Sequence, residues 1–280
     1  MKTKRLISDI IYHAFIIGLG FLMIYPVLWM VFGSFKNNVE ILQHTERLLP
    51  TVWRWENFPK GWAGFGGTSF SVFFKNSIII SLIATAGTVV SGTLVAYALA
   101  RVPFKGRQLW FNIMILTMLL PGQVIMIPQY LIFRKMGLVG TIVPLTLTKF
   151  FGVPFFIYMT MQFIKGLPRE LDEAAMIDGC SRYSIFSRII LPLLGPSVIT
   201  MIVIQFYWVW DDFMGPLLYL NRPKTYTVSY AIKLFADATS TTDYGPMFAM
   251  STLSLVPVFT IFLIFNRYLM DGVTAGSVKG

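Results

Sequence analysis

Five stretches of this chain are long enough to cross a membrane and contain no Lys, Arg, Asp or Glu. They are residues 10–35, 76–100, 108–133, 189–210 and 244–266. A sixth stretch, 136–164, is interrupted by one charged residue, Lys149. A bilayer core needs about 20 apolar residues per helical span. An all-α polytopic membrane protein with six transmembrane helices is therefore predicted, since a helix satisfies its own backbone hydrogen bonds in lipid.

The whole chain, 1–280, is expected to form a single transmembrane domain. The predicted spans are approximately 10–35, 76–100, 108–133, 136–164, 189–220 and 244–266. The loop at 165–188 connects the fourth span to the fifth. Six spans place both termini on one side. The segments then on the cytoplasmic side hold 12 Lys and Arg against 10 in the longer outer segments, and this bias favours cytoplasmic termini.

Composition excludes several other classes of protein. The net charge of +10 is scattered over short loops, so it suits anionic lipid headgroups and predicts no nucleic-acid partner. One cysteine excludes an internal disulfide, and two histidines without ligand spacing predict no metal site. The same scarcity argues against an intramembrane enzyme, which needs a nucleophile–base pair or a metal cluster within the bilayer.

The segment between the fourth and fifth spans gathers an unusual share of the charge. It reads LPRELDEAAMIDGCSRYSIFSRIILP, residues 167–192. Pro168 and the acidic residues after it suit the first turn of a helix, and Gly179 suits a helix end. Ser181 can cap a second short helix that carries Arg182. The segment is therefore predicted to form a helix, a glycine turn and a second helix outside the membrane core.

One face of the first of these helices is narrow. Leu171, Ala174, Ala175 and Asp178 follow the helical spacing i, i+3, i+4 and i+7. Two alanines there allow close approach by another body, which favours a docking surface for a protein partner. The alternative is an amphipathic helix lying on lipid headgroups, but such helices usually carry Lys and Arg opposite large apolar anchors.

This segment resembles the EAA motif of ABC importer permeases. The residues that carry the likeness, at the spacing of that motif, are Glu173, Ala174, Ala175, Gly179, Ile189, Leu191 and Pro192. Four segments are similar to the carbohydrate (maltose-type) branch: LPRELDEAAMIDG (167–179), MLLPGQVIMIPQY (118–130), WDDFMGPLLYL (210–220) and NRYLMDGVTAGSVKG (266–280). The likeness covers most of the chain, but the branch usually has Asn where this chain has Asp211.

The resemblance implies that this loop is a coupling helix seated in a cleft of a cytoplasmic ABC ATPase dimer. By matching positions, Glu173 would pair with a basic residue of the ATPase. Ala174 and Ala175 would permit the close fit, and Gly179 would turn the elbow. The remaining members of the predicted coupling set are Leu171, Asp178 and Arg182.

Further partners are implied by the same resemblance: a second homologous permease, an extracytoplasmic solute-binding protein and a carbohydrate substrate, in a prokaryotic cytoplasmic membrane. No cofactor is expected on this chain. ATP and Mg²⁺ would bind the partner ATPase, since the chain contains no G-x-x-x-x-G-K-[ST] motif.

Ionisable residues within a span suggest a functional site, because burying them in lipid is costly. The predicted substrate pathway consists of Gln123, Lys149, Tyr207, Trp210, Asp211 and Asp212. Aromatic faces beside carboxylates suit a neutral sugar, which offers C–H faces for stacking and hydroxyls for hydrogen bonds. Alternatively, Trp208 and Trp210 belong to an interfacial aromatic belt, and Asp212 forms a hydrogen bond to a helix break near Pro216. An ion pair of Lys149 with Asp211 or Asp212 is a further hypothesis.

The predicted function is that of a permease subunit in an ATP-driven importer of a carbohydrate, and an oligosaccharide is the favoured cargo. It would work by alternating access and perform no covalent chemistry. One alternative keeps the class and changes the cargo to a glycerol phosphate diester or another polar organic solute. Another is an ion-coupled secondary transporter, which would favour carboxylates near the midplane and an internal inverted repeat.

Overall fold

The computed structural model describes residues 2–235 and 243–275, with side chains described for 9–235 and 243–266. Apart from one isolated β bridge, all regular structure in this part of the chain is helical, which confirms the all-α prediction. The C-terminal stretch that resembles importer permeases, 266–280, lies almost wholly outside the described side chains. Parts of the terminal segments 1–9 and 267–280 and of the outer segment 221–243, whose Lys and Arg were counted for the charge bias, also lie outside the described side chains.

The helices follow one another through the described residues with short connections. The α-helices are α1 (Lys2–Gly33), α2 (Asn38–Gln43), α3 (Asn57–Ala63), α4 (Phe70–Arg101), α5 (Arg107–Met118), α6 (Gly122–Lys135), α7 (Val143–Leu147), α8 (Pro154–Gly166), α9 (Glu170–Ile177), α10 (Arg182–Ile185), α11 (Leu191–Leu193), α12 (Gly195–Trp210), α13 (Met214–Tyr219), α14 (Val228–Phe235) and α15 (Tyr244–Ala275). Shorter helical turns are the 3-10 segments Thr148–Phe151 and Pro223–Thr225 and the π-helical segment Phe186–Ile190.

Four helical segments are long and apolar enough to cross a bilayer by length and composition. They are Asp9–Gly33, Phe70–Arg101, Val143–Gly166 and Tyr244–Asn266. Two further candidates are pairs of helices that meet at a sharp bend. The described residues therefore hold six spans if each bent pair counts as one.

The predicted third and fifth spans, 108–133 and 189–220, are each broken by a sharp bend in the structure. α5 and α6 meet at 102°, and the segment from α10 to α11 meets α12 at 74°. Pro121 follows the end of α5, and Pro192 and Pro196 flank the second bend. Because proline lacks an N–H and disfavours helical geometry in the residue before it, the helix stops at these points.

The chain divides into two compact units. The first comprises Met1–Ser71 with Ala231–Val256, and the second comprises Val72–Tyr230 with Pro257–Gly280. The predicted coupling loop and all residues of the predicted substrate pathway belong to the second unit.

A buried polar cluster organises the first unit at the end of α1. Lys36 is fully buried and donates a hydrogen bond to the carbonyl oxygen of Arg47. The side-chain amide of Asn57 donates to the carbonyl oxygens of Ser34 and Lys36, at 2.8 and 2.9 Å. Because buried carbonyls beyond a helix end need partners, Asn57 joins α3 to the end of α1.

The core of the second unit joins membrane helices to the coupling loop. Its buried members come from α4 (Ala96, Tyr97, Leu99 and Ala100), from α8 (Ile157, Met161 and Ile164) and from the segment after α8 (Ala175, Ile185, Phe186, Ile190 and Leu194). A bond between the hydroxyls of Thr160 and Ser197, 3.2 Å apart, links α8 to α12. Close-packed interiors transmit displacement, so a movement of the loop would be passed to these helices.

Candidate coupling surface and solute cavity

The coupling loop begins with α9 and a glycine turn. Glu170, Asp172 and Glu173 occupy its first turn, as the helix dipole favours. The helix starts at Glu170, two residues later than Pro168 suggested. Gly179 has φ +78°, and the N–H of Cys180 donates to the carbonyl oxygen of Ala175 at 2.9 Å. This is a Schellman end, which requires a left-handed residue at the position of Gly179.

The second helix of the loop begins at Ser181, as the sequence predicted. The Ser181 hydroxyl accepts a hydrogen bond from the N–H of Ser184 at 3.2 Å. α10 then continues through the π-helical segment Phe186–Ile190 into α11. Such π segments widen a helix by one residue and are frequent at functional sites. The segment therefore leads from the loop directly into the bent fifth span.

The two faces of α9 have different surroundings. Ala174 is exposed, and Ile177 leaves 86% of its surface exposed beside it. Tyr183, after the turn, is 74% exposed. Ala175 instead is 6% exposed and packs into the core of this chain. The expectation that Ala175 receives a partner is therefore corrected: at i+1 from Ala174 it points to another side of the helix, where its small size brings α9 close to the membrane helices.

The predicted coupling residues otherwise lie on the solvent side of the loop. Those that are exposed are Leu171, Glu173, Ala174, Asp178, Gly179 and Arg182. The exposed face of the loop, from Leu171 to Tyr183, is named the coupling surface below.

A buried ion pair holds α9 on the membrane helices, and sequence reasoning missed it. Arg101 Nε lies 3.4 Å from Asp172 Oδ2, with the two side chains 7% and 11% exposed. Arg101 Nη2 also donates to the carbonyl oxygens of Ile164 and Leu167, at 3.0 and 2.6 Å. Arg101 therefore caps the end of α8 and pairs with α9 at the same time. In the sequence, Arg101 belongs to a short basic turn and Asp172 to a group of acidic residues, so neither residue by itself predicts the pair.

A second feature of this unit is a cavity of about 520 Å³. Its lining includes the residues Ile80, Leu145, Lys149, Val153, Gln205, Tyr207, Trp208, Asp211, Asp212 and Thr227. Its volume falls within the range of small-molecule sites. Across residues 2–235 and 243–275, no three His, Cys, Asp or Glu side chains are grouped as a metal ion would need.

The structure brings four of the six predicted pathway residues to this cavity: Lys149, Tyr207, Asp211 and Asp212. Gln123 is exposed on α6 and does not line it. Trp210 is buried and stacks on Phe206, with ring centroids 5.7 Å apart. Trp208, two residues earlier in the same helix, lines the cavity instead and packs against Phe156.

Asp212 has a structural role as well as a place in the cavity wall. Its Oδ1 accepts a hydrogen bond from the N–H of Gly215 at 3.1 Å, at the helix break before Pro216. The alternative that Asp212 bonds this break is thereby confirmed. A Cβ at Gly215 would stand 2.4 Å from Asp212 Oδ2, so this approach requires glycine.

Lys149 and Asp212 interact electrostatically across the cavity wall. Among the described side chains, however, neither Asp211 nor Asp212 lies within the 4 Å of Lys149 that an ion pair requires. The predicted direct pair is thus not formed, although the three residues share one cavity.

Gln205 is the cavity residue that sequence reasoning did not identify. Its side chain is 1% exposed, and neither amide atom has a hydrogen-bond partner among the described residues. A single glutamine in an apolar helix carries little signal, since many membrane helices contain one. Its burial beside a cavity is visible only in the tertiary structure.

Comparison with known proteins identifies the family. The family model for "Binding-protein-dependent transport system inner membrane component" matches residues 88–274, which contain both the coupling surface and most of the cavity lining. The chain belongs to this family. The resemblance of its charged loop to importer permeases is therefore confirmed.

Individual relatives match over nearly the full length of the permease. It is 32% identical to the arabinooligosaccharides transport system permease AraQ of Halalkalibacterium halodurans, covering 99% of this chain and 100% of the relative. It is 33% identical to the probable ABC transporter permease YurM of Bacillus subtilis, covering 91% and 84%. A crystal structure of a bacterial ABC transporter for the acidic polysaccharide alginate has the same fold, with TM-score 0.80, 19% identity and coverage of 96% and 98%.

Family membership decides between the classes considered from the sequence. The permease is a multi-pass membrane component of an ABC import system, and its function is transport rather than catalysis. An ion-coupled secondary transporter and an intramembrane enzyme are excluded on this ground.

Proposed function

We propose that this permease is the transmembrane subunit of an ATP-driven importer of a carbohydrate, with an oligosaccharide as cargo. The observation that carries the proposal is the match over whole chains to a permease for arabinooligosaccharides. Other relatives are permeases for diacetylchitobiose and for starch degradation products, at 31% and 32% identity. A cavity walled by aromatic rings, an amide and carboxylates agrees with a solute rich in hydroxyls.

The chain would work as one membrane domain with both termini in the cytoplasm. Its coupling surface would dock on an ABC ATPase dimer, which binds ATP and Mg²⁺. A second homologous permease would complete the membrane pore. A solute-binding protein would deliver the cargo from outside, as suggested by the crystal structure of a bacterial alginate ABC transporter in complex with an alginate pentasaccharide-bound periplasmic protein.

Coupling would depend on the two faces of α9. On the outer face, Ala174 offers little bulk, so a partner surface can approach closely, and Ile177 and Tyr183 supply apolar area at its border. Glu173 would pair with a basic group of the ATPase. On the inner face, Ala175 and Asp172 fasten the helix to α4 and α8. Closure of the ATPase dimer would thus move membrane helices and produce alternating access.

Ala174→Asp tests the coupling role. The exposed position tolerates a carboxylate in the free permease, but a tight interface would bury that charge without a partner, which costs several kcal/mol. We expect the purified variant to retain the second permease, to lose the ATPase and to lose saccharide uptake. Co-purification from native membranes in mild detergent, with mass spectrometry of the bound subunits, measures the first two effects.

The matched control is Ala63→Asp. Ala63 is also exposed, at the end of α3 and outside the coupling loop, so this variant should purify with every subunit and transport normally. Retention of the ATPase and normal uptake by Ala174→Asp would remove the docking role from this surface.

A further inference from the structure

We infer that this subunit contains its own binding site for a neutral saccharide, in which the buried amide of Gln205 is the principal specificity-determining group. The inference rests on the proposed function, since it assumes a carbohydrate cargo. It goes beyond that function because it assigns solute recognition to this chain and to a residue that no motif marks.

The state of Gln205 is the first ground for this inference. Protein interiors pair nearly all buried polar atoms, and an unpaired buried amide is destabilising. Both amide atoms of Gln205 lack partners within the described residues, although the side chain is almost completely buried. The residue belongs to the lining of the cavity, so its unpaired donor and acceptor lie next to the space that a solute would occupy.

The geometry of an amide matches a saccharide. Its N–H donates and its carbonyl oxygen accepts, so one glutamine can bond two neighbouring hydroxyls of a sugar ring. Tyr207 and Trp208 form part of the same wall and keep 48% and 45% of their surfaces exposed. Their rings offer stacking faces for the C–H side of the sugar. Polar and aromatic groups are thus combined as a pyranose or furanose requires.

The charges of the lining favour a neutral ligand. The lining holds one basic side chain, Lys149, and two acidic side chains, Asp211 and Asp212. Asp212 already accepts a hydrogen bond from the Gly215 N–H. Asp211 is exposed, so it can accept from a sugar hydroxyl, and it would repel a uronate. The cavity therefore suits a neutral saccharide better than an acidic one.

Gln205→Leu is the decisive variant, because leucine has similar volume and no polar atoms. If the amide binds a sugar, the affinity for neutral saccharide should fall about 10- to 100-fold, the equivalent of two lost hydrogen bonds. The thermal stability of the complex should stay equal or rise, since an unpaired buried group has been removed. This combination separates a binding role from a role in folding.

The matched control is Gln162→Leu. Gln162 lies in α8, is exposed and does not line the cavity. The same substitution there should leave saccharide affinity unchanged.

The measurement uses the permease complex purified with its native subunits but without the solute-binding protein, so that delivery does not mask recognition. Saturation-transfer difference NMR gives the dissociation constants of arabinotriose, diacetylchitobiose, maltotriose and a uronate trisaccharide. Uptake of the same four compounds is measured in parallel in proteoliposomes supplied with the binding protein.

We expect a neutral saccharide to bind wild type and Gln162→Leu with the same affinity, and to bind Gln205→Leu at least about tenfold more weakly. The uronate should also bind wild type at least about tenfold more weakly than the neutral saccharide does. Equal affinity of wild type and Gln205→Leu would overturn the inference, as would a uronate that binds as well as the neutral sugars. Uptake without detectable binding to the complex would also overturn it and leave the importer function intact. If wild type neither binds nor takes up any of the neutral sugars, the carbohydrate proposal fails and the inference falls with it.

Discussion

Arg101→Met should loosen the coupling loop far more than Asp172→Asn, although both substitutions break the same ion pair. Each of the two residues is almost fully buried. They differ in their other contacts. Arg101 also donates to two backbone carbonyls at the end of α8, whereas neither carboxylate oxygen of Asp172 has a hydrogen-bond partner among the described residues.

The magnitudes follow from what each variant leaves behind. Arg101→Met leaves a buried carboxylate without its cation and removes one donor from each of two carbonyl oxygens, of which that of Ile164 keeps the N–H of Leu167. Losses of this kind amount to about 3–5 kcal/mol. Asp172→Asn leaves the guanidinium bonded to Ile164 and Leu167 and replaces a charge by a neutral amide. Its cost should be about 1–2 kcal/mol. The side chains are too buried for solvent screening to reduce these values much.

The chain supplies its own reporter for this effect. Cys180 is the only cysteine in the sequence, and it is partly buried where it packs against the core that holds the loop. Labelling by a maleimide therefore reports local opening of the loop. At about 1.4 kcal/mol per factor of ten, labelling should accelerate by about a hundredfold or more in Arg101→Met and by about tenfold in Asp172→Asn.

The control is Arg188→Met, which removes an exposed arginine from the same loop and should leave the labelling rate unchanged. Combining Arg101→Met with Asp172→Leu should recover part of the loss, since no unpaired charge remains. Equal acceleration by Arg101→Met and Asp172→Asn would refute the reasoning, because it would mean that the carbonyl contacts of Arg101 contribute nothing.

Two glycines lead to further predictions. Gly215→Ala should lower the melting temperature of the purified complex, because the new methyl group would stand 2.4 Å from Asp212 and 2.8 Å from Leu145. Such overpacking costs about 1–3 kcal/mol. Gly122→Ala is the control, since a methyl group there meets no atom within 4 Å, and equal melting temperatures of the two variants would contradict the expected clash. Gly179→Ala meets no atom within 4 Å, so its cost is backbone strain alone, about 1–2 kcal/mol at positive φ. It should speed Cys180 labelling by about 5- to 30-fold, while Gly166→Ala should not. An unchanged rate would show that the turn tolerates a side chain.

The sequence by itself determined the membrane class, the number of apolar segments and the local form of the coupling loop. A bilayer leaves a spanning chain little choice but helix, so uncharged length alone is informative. Gly179 and Ser181 act within a few residues of themselves, through a left-handed turn and a hydroxyl cap, so their roles could be predicted without tertiary contacts. The EAA residues likewise lie close together in the sequence, so their spacing carried the family resemblance without any knowledge of tertiary contacts.

Only the tertiary structure decided which residues face which neighbours. Adjacent alanines in α9 look alike in the sequence, yet Ala174 is exposed and Ala175 is buried against α4 and α8. The ion pair of Arg101 with Asp172 joins positions that no periodicity relates, and an apolar run does not reveal which side of it borders a cavity. Gln205 gains its importance from burial without a partner, and burial is a property of packing between distant segments. Local pattern therefore predicts elements and turns, while pairing, facing and cavities depend on contacts between parts of the chain that are far apart in sequence.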